Sequence, residues 1–230
     1  MMVLGIDTSG YVNAVGVVDG SRVLADNIYP ARTDSLEQIV ANIDATLKST
    51  GLNLKDVEGI GVGLGPGSWT GIKVGVTVGK MLAFSTGKPV CGVPTLAALA
   101  FTARNEASLI CSVIAVGAGD AVYAGLYRPR DSGIKRIGDY YIGDVKGLTA
   151  LITGPCVMVG SGVQPYAQLT TRASGIKVRA IEALPGGAAV ASLAAVRLAR
   201  GDSDDALSLT PLYLKESTAK VFINKYKSRV

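Results

Sequence analysis

The amino-acid sequence contains no histidine among its 230 residues. Imidazole is the base of the Ser-His and Cys-His nucleophile pairs, and it is the commonest side-chain ligand of transition metals in proteins. The absence therefore excludes, for this chain alone, hydrolases that depend on such a pair and metal sites built on histidine. We predict no catalytic residue, no metal ligand and no cofactor.

Cysteines are few, and long apolar runs are absent. The three cysteines lie at least 20 residues apart in apolar or strand-like surroundings, with no C-x-x-C pair. This spacing predicts buried, reduced thiols. No apolar run reaches the ~18 residues of a membrane-spanning helix, and the N-terminal MMVLGIDTSG has neither a basic leader nor a small-residue cleavage site. We expect a cytoplasmic protein with no membrane partner.

Acidic side chains are missing from the end of the chain. The whole sequence has 23 basic and 18 acidic residues, a formal net charge of +5. Residues 220–230 contain four basic side chains and no acid, which leaves the rest nearly neutral: Lys220, Lys225, Lys227 and Arg229. This basic tail is expected either to be a solvated chain end or to contact RNA phosphate or an acidic partner.

The N-terminal part of the chain has the pattern of a β-meander followed by a helix. Residues 3–29 predict three strands, with Asp19-Gly20 as the tight turn between the second and the third. A helix is predicted from 35 to 49, opened by capping-box spacing at Asp34 and ended by Gly51. Its apolar residues recur at helical steps along one face: Leu36, Ile39, Val40, Ile43 and Leu47.

The segment IKVGVTVG, residues 72–79, has two conflicting patterns. Its alternation and its β-branched residues are typical of a strand. Its small residues recur every four positions, which lines them up on one face of a helix: Gly71, Gly75, Gly79 and Ala83. We predict a helix with Thr70 as its N-cap. Three glycines destabilise such a helix by about 3 kcal/mol relative to alanine, so close packing must offset them.

The remaining elements predict a duplicated α/β architecture. Strands are predicted at 60–65, 88–93, 108–116, 121–129, 136–143 and 156–160, and helices at 94–104, 144–151 and 187–200. The repeated order of strands and helices indicates two lobes of mixed β-sheet with flanking helices. We expect an N-terminal lobe at 1–104, a reduced C-terminal lobe at 105–219 and the basic tail at 220–230.

The glycine-rich stretch GLGPGSWTGIKVG, residues 63–75, resembles a phosphate-binding loop at first sight. It lacks the G-x-x-x-x-G-K-[ST] spacing of a P-loop and the G-x-G-x-x-G spacing of a dinucleotide site. What remains is a tight turn before a helix N-terminus, a generic anion site in which Ser68 could add a donor beside Gly65 and Gly67. The alternative is a turn that is rich in glycine for steric reasons alone.

A second polar turn, Asp7-Thr8-Ser9-Gly10, follows the first predicted strand. It resembles the turn in nucleotide enzymes of the actin, sugar-kinase and Hsp70 type, where such an acid holds magnesium and its hydroxyl neighbours touch phosphate. Those folds need an acidic loop from the second lobe as well, and the corresponding place here, 116–119, has no carboxylate before Asp120. The candidate binding residues are therefore Asp7, Thr8, Ser9, Gly65, Gly67 and Ser68.

Five segments together resemble the TsaB family, also called YeaZ: VLGIDTS, GLGPGSWTGIKVG, CGVPTLAALA, VYAGLY and TPLYLK. The resemblance implies an ASKHA-type (actin, sugar-kinase and Hsp70-like) fold and a non-catalytic accessory subunit in threonylcarbamoyladenosine modification of tRNA. It implies pairing with the catalytic paralogue TsaD, docking of the ATPase TsaE on that pair, and contact with tRNA through the complex. The segment from Gly117 to Tyr123 departs from the family's Asp-Ala-Arg pattern, losing an acid and a base.

The resemblance leads to a hypothesis about the interface. The helix at 35–49 and the predicted helix that carries the small residues would form a four-helix interface with TsaD, or with a second copy, through Leu36, Ile39, Ile43, Gly71, Gly75 and Gly79. The alternative use of the glycines is to seat their helix on its own sheet. Two other functions stay open: a nucleotide hydrolase or kinase using Asp7 and the 65–71 loop and, remotely, a glycoprotease-like peptidase.

Overall fold

The structure of the protein is a computed structural model that describes residues 1–30, 35–117, 119–152, 154–161, 178–181 and 183–215. Its strands are β1 Met2–Asp7, β2 Val12–Asp19, β3 Arg22–Pro30, β4 Gly59–Gly63, β5 Val90–Val93, β6 Ile110–Ala115, β7 Ala121–Arg130, β8 Gly133–Asp144, β9 Cys156–Val159 and β10 Val178–Ile181. Its helices are α1 Ser35–Ser49, α2 Trp69–Thr86, α3 Thr95–Thr102, α4 Val145–Ala150 and α5 Gly187–Leu198. The sequence analysis anticipated each of these elements except β10.

The first sheet has the strand order β3-β2-β1-β4-β5. Strands β1, β2 and β3 form the predicted antiparallel meander, and β4 and β5 extend it in parallel with β1. Side chains alternate along β1, so Leu4 and Ile6 join the core under α1 and α2, while Val3 joins the core under α5. The sheet is thus covered by helices on both faces, which explains why β1 and β2 are almost continuously apolar.

The second sheet repeats the topology of the first, with the order β10-β9-β6-β7-β8. Strands β6, β7 and β8 are antiparallel, and β9 and β10 continue in parallel with β6. One face packs on α4 and the other on α3. The predicted duplication is confirmed.

Helix α5 returns to the first sheet, although the sequence analysis assigned residues 105–219 to the second lobe. Its alanines approach β1, β2 and β4 at three glycines, where a Cβ would overlap the helix: Gly5, Gly16 and Gly61. Glycine on the strands and alanine on the helix let the two backbones come unusually close. The predicted lobe boundary at residues 104 and 105 did not anticipate this return. The division of the chain into these two lobes stays a prediction.

The segment after α5 is also fastened to the first sheet. Arg197 pairs with Asp202 at 2.8 Å and with Asp204 at 2.9 Å. The carboxylate of Asp204 accepts a hydrogen bond from the Gly92 amide of β5 at 2.7 Å. Further on, the Leu212 amide donates to the Leu64 carbonyl at 2.9 Å. The chain therefore runs past β5 and, before residue 215, reaches the glycine-rich stretch at residues 63–75, which we call the glycine loop.

The small-residue segment is helix α2, as predicted against its β-like alternation. Its N-cap is Ser68, whose hydroxyl accepts from the Gly71 amide at 3.3 Å. The prediction of Thr70 as N-cap is wrong by two residues, because the helix begins at Trp69. Gly87 ends it with φ +67°, a left-handed conformation that favours glycine. For α1, the predicted opening at Asp34 lies outside the described residues.

The three cysteines are free and buried, as predicted. Burial raises the pKa of Cys91 and of Cys156 to about 11, and it raises the pKa of Cys111 as well. These thiols are therefore protonated near neutral pH and are poor nucleophiles. Within the described residues, no helix is both long and apolar enough to cross a membrane.

Candidate functional site

Asp7 ends β1 with a fully buried side chain that joins three segments of the first lobe. Its Oδ1 accepts from the Ser9 amide at 2.8 Å and from the Ser9 hydroxyl at 2.6 Å. Its Oδ2 accepts from the Thr95 hydroxyl at 2.8 Å. Thr95 in turn accepts from the Gly65 amide at 3.2 Å. The carboxylate thus ties the turn after β1 to the glycine loop and to the start of α3.

This environment changes the chemistry of Asp7. Burial raises its pKa above the ordinary value, and the hydrogen bonds from Ser9 and Thr95 partly oppose that shift. A Cβ at Gly63 would overlap the carboxylate, so β4 closes it off from that side. Asp7 is therefore an internal hydrogen-bonding centre, because both of its carboxylate oxygens already accept hydrogen bonds within the protein.

The glycine loop packs directly on the turn after β1. A Cβ at Gly67 would overlap the Ser9 carbonyl, to which the Ser68 amide donates at 2.6 Å. The Thr8 hydroxyl donates to the Gly71 carbonyl at 2.6 Å. The structure thus brings together all six candidate binding residues, while the amides of Gly65, Ser68 and Gly71 already have partners inside the protein. Whether the six bind an anion stays a prediction.

A cleft of about 390 Å³ lies beside this loop, between the two lobes. The first lobe contributes the segments at 9–11 and 67–68, and the second contributes the end of β6, through Gly117, with Tyr123 of β7. None of the described residues that line it is charged. Asp120 is exposed in the turn between β6 and β7 and is not among them. Among the residues that the structure describes, the cleft thus offers no charged side chain to a nucleotide or its magnesium.

The three glycines of α2 face the protein's own first sheet. A Cβ at Gly71 would overlap the Thr8 carbonyl, one at Gly75 the Thr8 hydroxyl, and one at Gly79 the Val62 side chain. The hypothesis that these glycines admit a partner's helix is therefore wrong. The alternative use is the one observed: they seat α2 against β1, β4 and the Asp7 turn.

The apolar residues proposed for α1 need the same correction. Ile39 and Ile43 are buried in the core beneath α1 and α2, so they are unavailable to a partner. The side chain of Leu36 lies outside the described residues. Of the predicted apolar face, Ile39, Ile43 and Leu47 are buried, whereas Val40 is 59% exposed. Such a face points by default into the protein's own core.

Of the apolar residues that do face outward, only Val40 was named from the sequence, and it was placed on the face that is buried. Val40 of α1 and Met81 and Phe84 of α2 each expose more than half of their side-chain surface. The two helices contact each other, and Val74 and Val78 are partly buried along the same stretch of α2. For Met81 and Phe84, the available indication was a large apolar side chain off the face of α2 that carries the glycines. We call Val40, Met81 and Phe84 the outer apolar surface.

Two TsaB proteins are similar to this chain in sequence. TsaB of Bacillus subtilis, a tRNA threonylcarbamoyladenosine biosynthesis protein, is 30% identical over 137 residues, a match that spans 60% of this chain and 59% of that protein. The Haemophilus influenzae protein of the same name is 26% identical over 226 residues, spanning 94% of each chain. The match is therefore nearly full-length with one relative and about three-fifths of the length with the other.

Solved structures and one protein family extend the match. YeaZ from Pseudomonas aeruginosa is similar with a TM-score of 0.78 and 26% identity, over 93% of this chain and 99% of that one. A ROK hexokinase from Thermus thermophilus has a TM-score of 0.52 at 15% identity, over 88% of this chain and 100% of that one, a likeness of fold that agrees with the predicted ASKHA architecture. The family described as TsaD: tRNA N6-adenosine threonylcarbamoyltransferase matches residues 28–196. The chain therefore belongs to the TsaD family, in which it stands with the TsaB (YeaZ) members.

Proposed function

We propose that this chain is a partner subunit in tRNA threonylcarbamoyladenosine biosynthesis, which pairs with a TsaD-like transferase and transfers no group itself. The observation that carries the proposal is the outer apolar surface on α1 and α2. Docking of a TsaE-like ATPase on the pair, and contact with tRNA through the complex, complete the proposal on the basis of the family resemblance.

The chemistry of the cleft supports an accessory role. The carboxylate that a nucleotide enzyme of this fold would use belongs to Asp7, and its oxygens are hydrogen-bonded by Ser9 and Thr95. The described lining of the cleft is neutral. A glycoprotease-like activity finds no support either, because the chain has no histidine and its cysteine thiols are buried with raised pKa values.

The outer apolar surface supports pairing. Fully burying a side chain such as Phe84 or Met81 against a partner stabilises the complex by about 1.5–3 kcal/mol each. Because α1 and α2 lie side by side, a partner presenting two helices of its own would form a four-helix contact with them. In the absence of a transferase, a second copy of this chain could meet the same surface in a two-fold symmetric dimer.

Replacing Phe84 with serine tests this pairing. We expect the Phe84→Ser variant to recover at least tenfold less of the organism's TsaD-like protein in co-purification, because an apolar contact of about 1.5 kcal/mol or more is lost. The matched control is Ile142→Ser, since Ile142 is half-exposed on β8, away from both helices. Sedimentation of the isolated variant reports in parallel on a homodimer. Recovery equal to that of the control would contradict the assigned surface.

Calorimetric titration with Mg-ATP tests the nucleotide-enzyme alternative. We expect no micromolar affinity, because the cleft has no charged described lining and Asp7 is engaged internally. A dissociation constant near 1 μM, about −8 kcal/mol, would instead favour an ATP-dependent enzyme. Titration of the TsaE-like protein under the same conditions provides the positive control.

A further inference from the structure

Exposed aromatic side chains concentrate around the glycine loop. Within the described residues, four aromatic side chains are strongly exposed, and Phe84 belongs to the outer apolar surface. The other three are Tyr11 at 62%, Trp69 at 45% and Tyr213 at 41% exposure. Neither the core nor the proposed pairing surface accounts for these three rings.

One ring contact and two backbone hydrogen bonds link the segments that carry the three rings. The rings of Trp69 and Tyr213 stack with centroids 4.3 Å apart and planes inclined by 29°. The Tyr213 segment is fixed to the loop by the hydrogen bond from the Leu212 amide to the Leu64 carbonyl. The Tyr11 segment is fixed to it by the bond from the Ser68 amide to the Ser9 carbonyl. Tyr11 also lines the inter-lobe cleft, so the rim borders its mouth.

The charge of this rim is positive. The Lys73 ammonium lies 4.3 Å from the centroid of the Trp69 ring, a cation–π arrangement. The three segments that build the rim, 9–11, 64–77 and 210–215, contain two lysines and no acidic residue. The basic tail, with four cations and no acid, begins five residues after Lys215, and the four residues between them contain one acid, Glu216. A ligand that matches this surface has flat rings to stack and negative charge beside them.

We propose that Tyr11, Trp69, Tyr213 and Lys73, here called the aromatic rim, bind an unpaired RNA base together with a neighbouring phosphate. Aromatic side chains bind single-stranded nucleic acid by stacking on bases, and lysine adds the phosphate contact. The inference rests on the proposed function for its expectation that tRNA comes within reach, and it adds a direct contact by this chain. An apolar protein partner is disfavoured here because the rim carries cations among its rings.

The single tryptophan of the chain makes the test specific. Trp69 is the only tryptophan beside nine tyrosines, so fluorescence excited at wavelengths that tyrosine does not absorb reports on the rim alone. We expect an RNA hairpin with a seven-nucleotide loop to quench this fluorescence saturably, and heparin, a polyanion that can engage Lys73 but has no base to stack, to quench it much less. The anisotropy of a fluorescently labelled hairpin measures binding to the protein by any route. A rise in anisotropy without quenching of Trp69 would show binding by the tail alone and would overturn the proposal.

Two substitutions separate stacking from charge. Tyr11→Ser should weaken hairpin binding by about five- to hundredfold, the range found when a base loses an aromatic stacking partner. Lys73→Gln should lower the salt dependence of binding, reducing the slope of log K against log salt by about 0.7. Unchanged affinity and unchanged slope in both variants would refute the rim as an RNA contact.

Phe84→Ser is the matched control and distinguishes the two proposals. Phe84 lies fifteen residues beyond Trp69 on the same helix, about 22 Å away at 1.5 Å per residue. We expect this variant to lose pairing with the TsaD-like protein and to keep RNA quenching, whereas Tyr11→Ser should do the reverse. If the wild-type protein pairs with the TsaD-like protein but its Trp69 is not quenched by RNA, only the RNA contact is overturned. Intact quenching without any pairing would overturn the proposed function instead.

Discussion

The two faces of α2 consist of different kinds of residue. The inner face carries Gly71, Gly75 and Gly79, which meet Thr8 and Val62 so closely that no Cβ fits. The outer face carries Lys73, Met81 and Phe84, which are exposed. Glycine on this helix therefore serves packing within the chain. The large side chains on the opposite face are the ones available to bind another molecule.

The largest expected effect on stability comes from replacing Gly75, on the inner face, with leucine. We expect Gly75→Leu to reduce the free energy of unfolding by about 3 kcal/mol or more, because the new side chain overlaps the Thr8 hydroxyl and must displace α2 from the sheet. Urea unfolding followed by circular dichroism measures the change. The control is Thr77→Leu, since Thr77 is exposed on the same helix, and it should stay within about 0.5 kcal/mol of the wild type. Equal stability of the two variants would contradict the assignment of the faces.

A smaller decrease in the free energy of unfolding is expected when the hydrogen bonds of Thr95 beneath the inner face are removed. Thr95→Val removes the hydroxyl that donates to Asp7 and accepts from the Gly65 amide. The variant leaves a buried carboxylate oxygen and a loop amide without that partner, so we expect the free energy of unfolding to fall by about 1–3 kcal/mol. Thermal unfolding of Thr95→Val and of Thr95→Ser, which keeps the hydroxyl, provides the comparison. The idea fails if serine gives no recovery relative to valine.

The smallest expected effect is a pH dependence due to Asp7. Burial raises the pKa of Asp7 above the ordinary 3.8, so the carboxyl group binds a proton more tightly in the folded protein than in the unfolded chain. The stability that Asp7 contributes is therefore complete below that ordinary value and is lost as pH rises through the raised pKa. Subtracting the urea midpoints of Asp7→Asn from those of the wild type across this window isolates the loss. Parallel profiles would show that Asp7 does not titrate as described.

Much of the site could be anticipated from sequence, but its use could not. Asp7 and Ser9 were identified because their turn resembles that of nucleotide enzymes, and Gly65 and Ser68 because a glycine-rich turn precedes a helix N-terminus. Nothing local revealed that Thr95, far along the chain, would occupy the Asp7 carboxylate. The interface residues Ile39 and Ile43 were misassigned for a related reason: periodicity identifies the apolar face of a helix but not what covers it.

The sequence by itself determined the duplicated order of strands and helices, the helical state of the small-residue segment and the burial of the cysteine thiols. These follow from hydrophobic periodicity and residue size, which act over a few neighbouring positions. Only the tertiary structure decided that α5 returns to the first sheet, that the glycines of α2 face inward, and that Tyr213 stacks on Trp69. Each of those facts joins residues distant in sequence, and such contacts depend on the packing of whole elements, which no local pattern specifies.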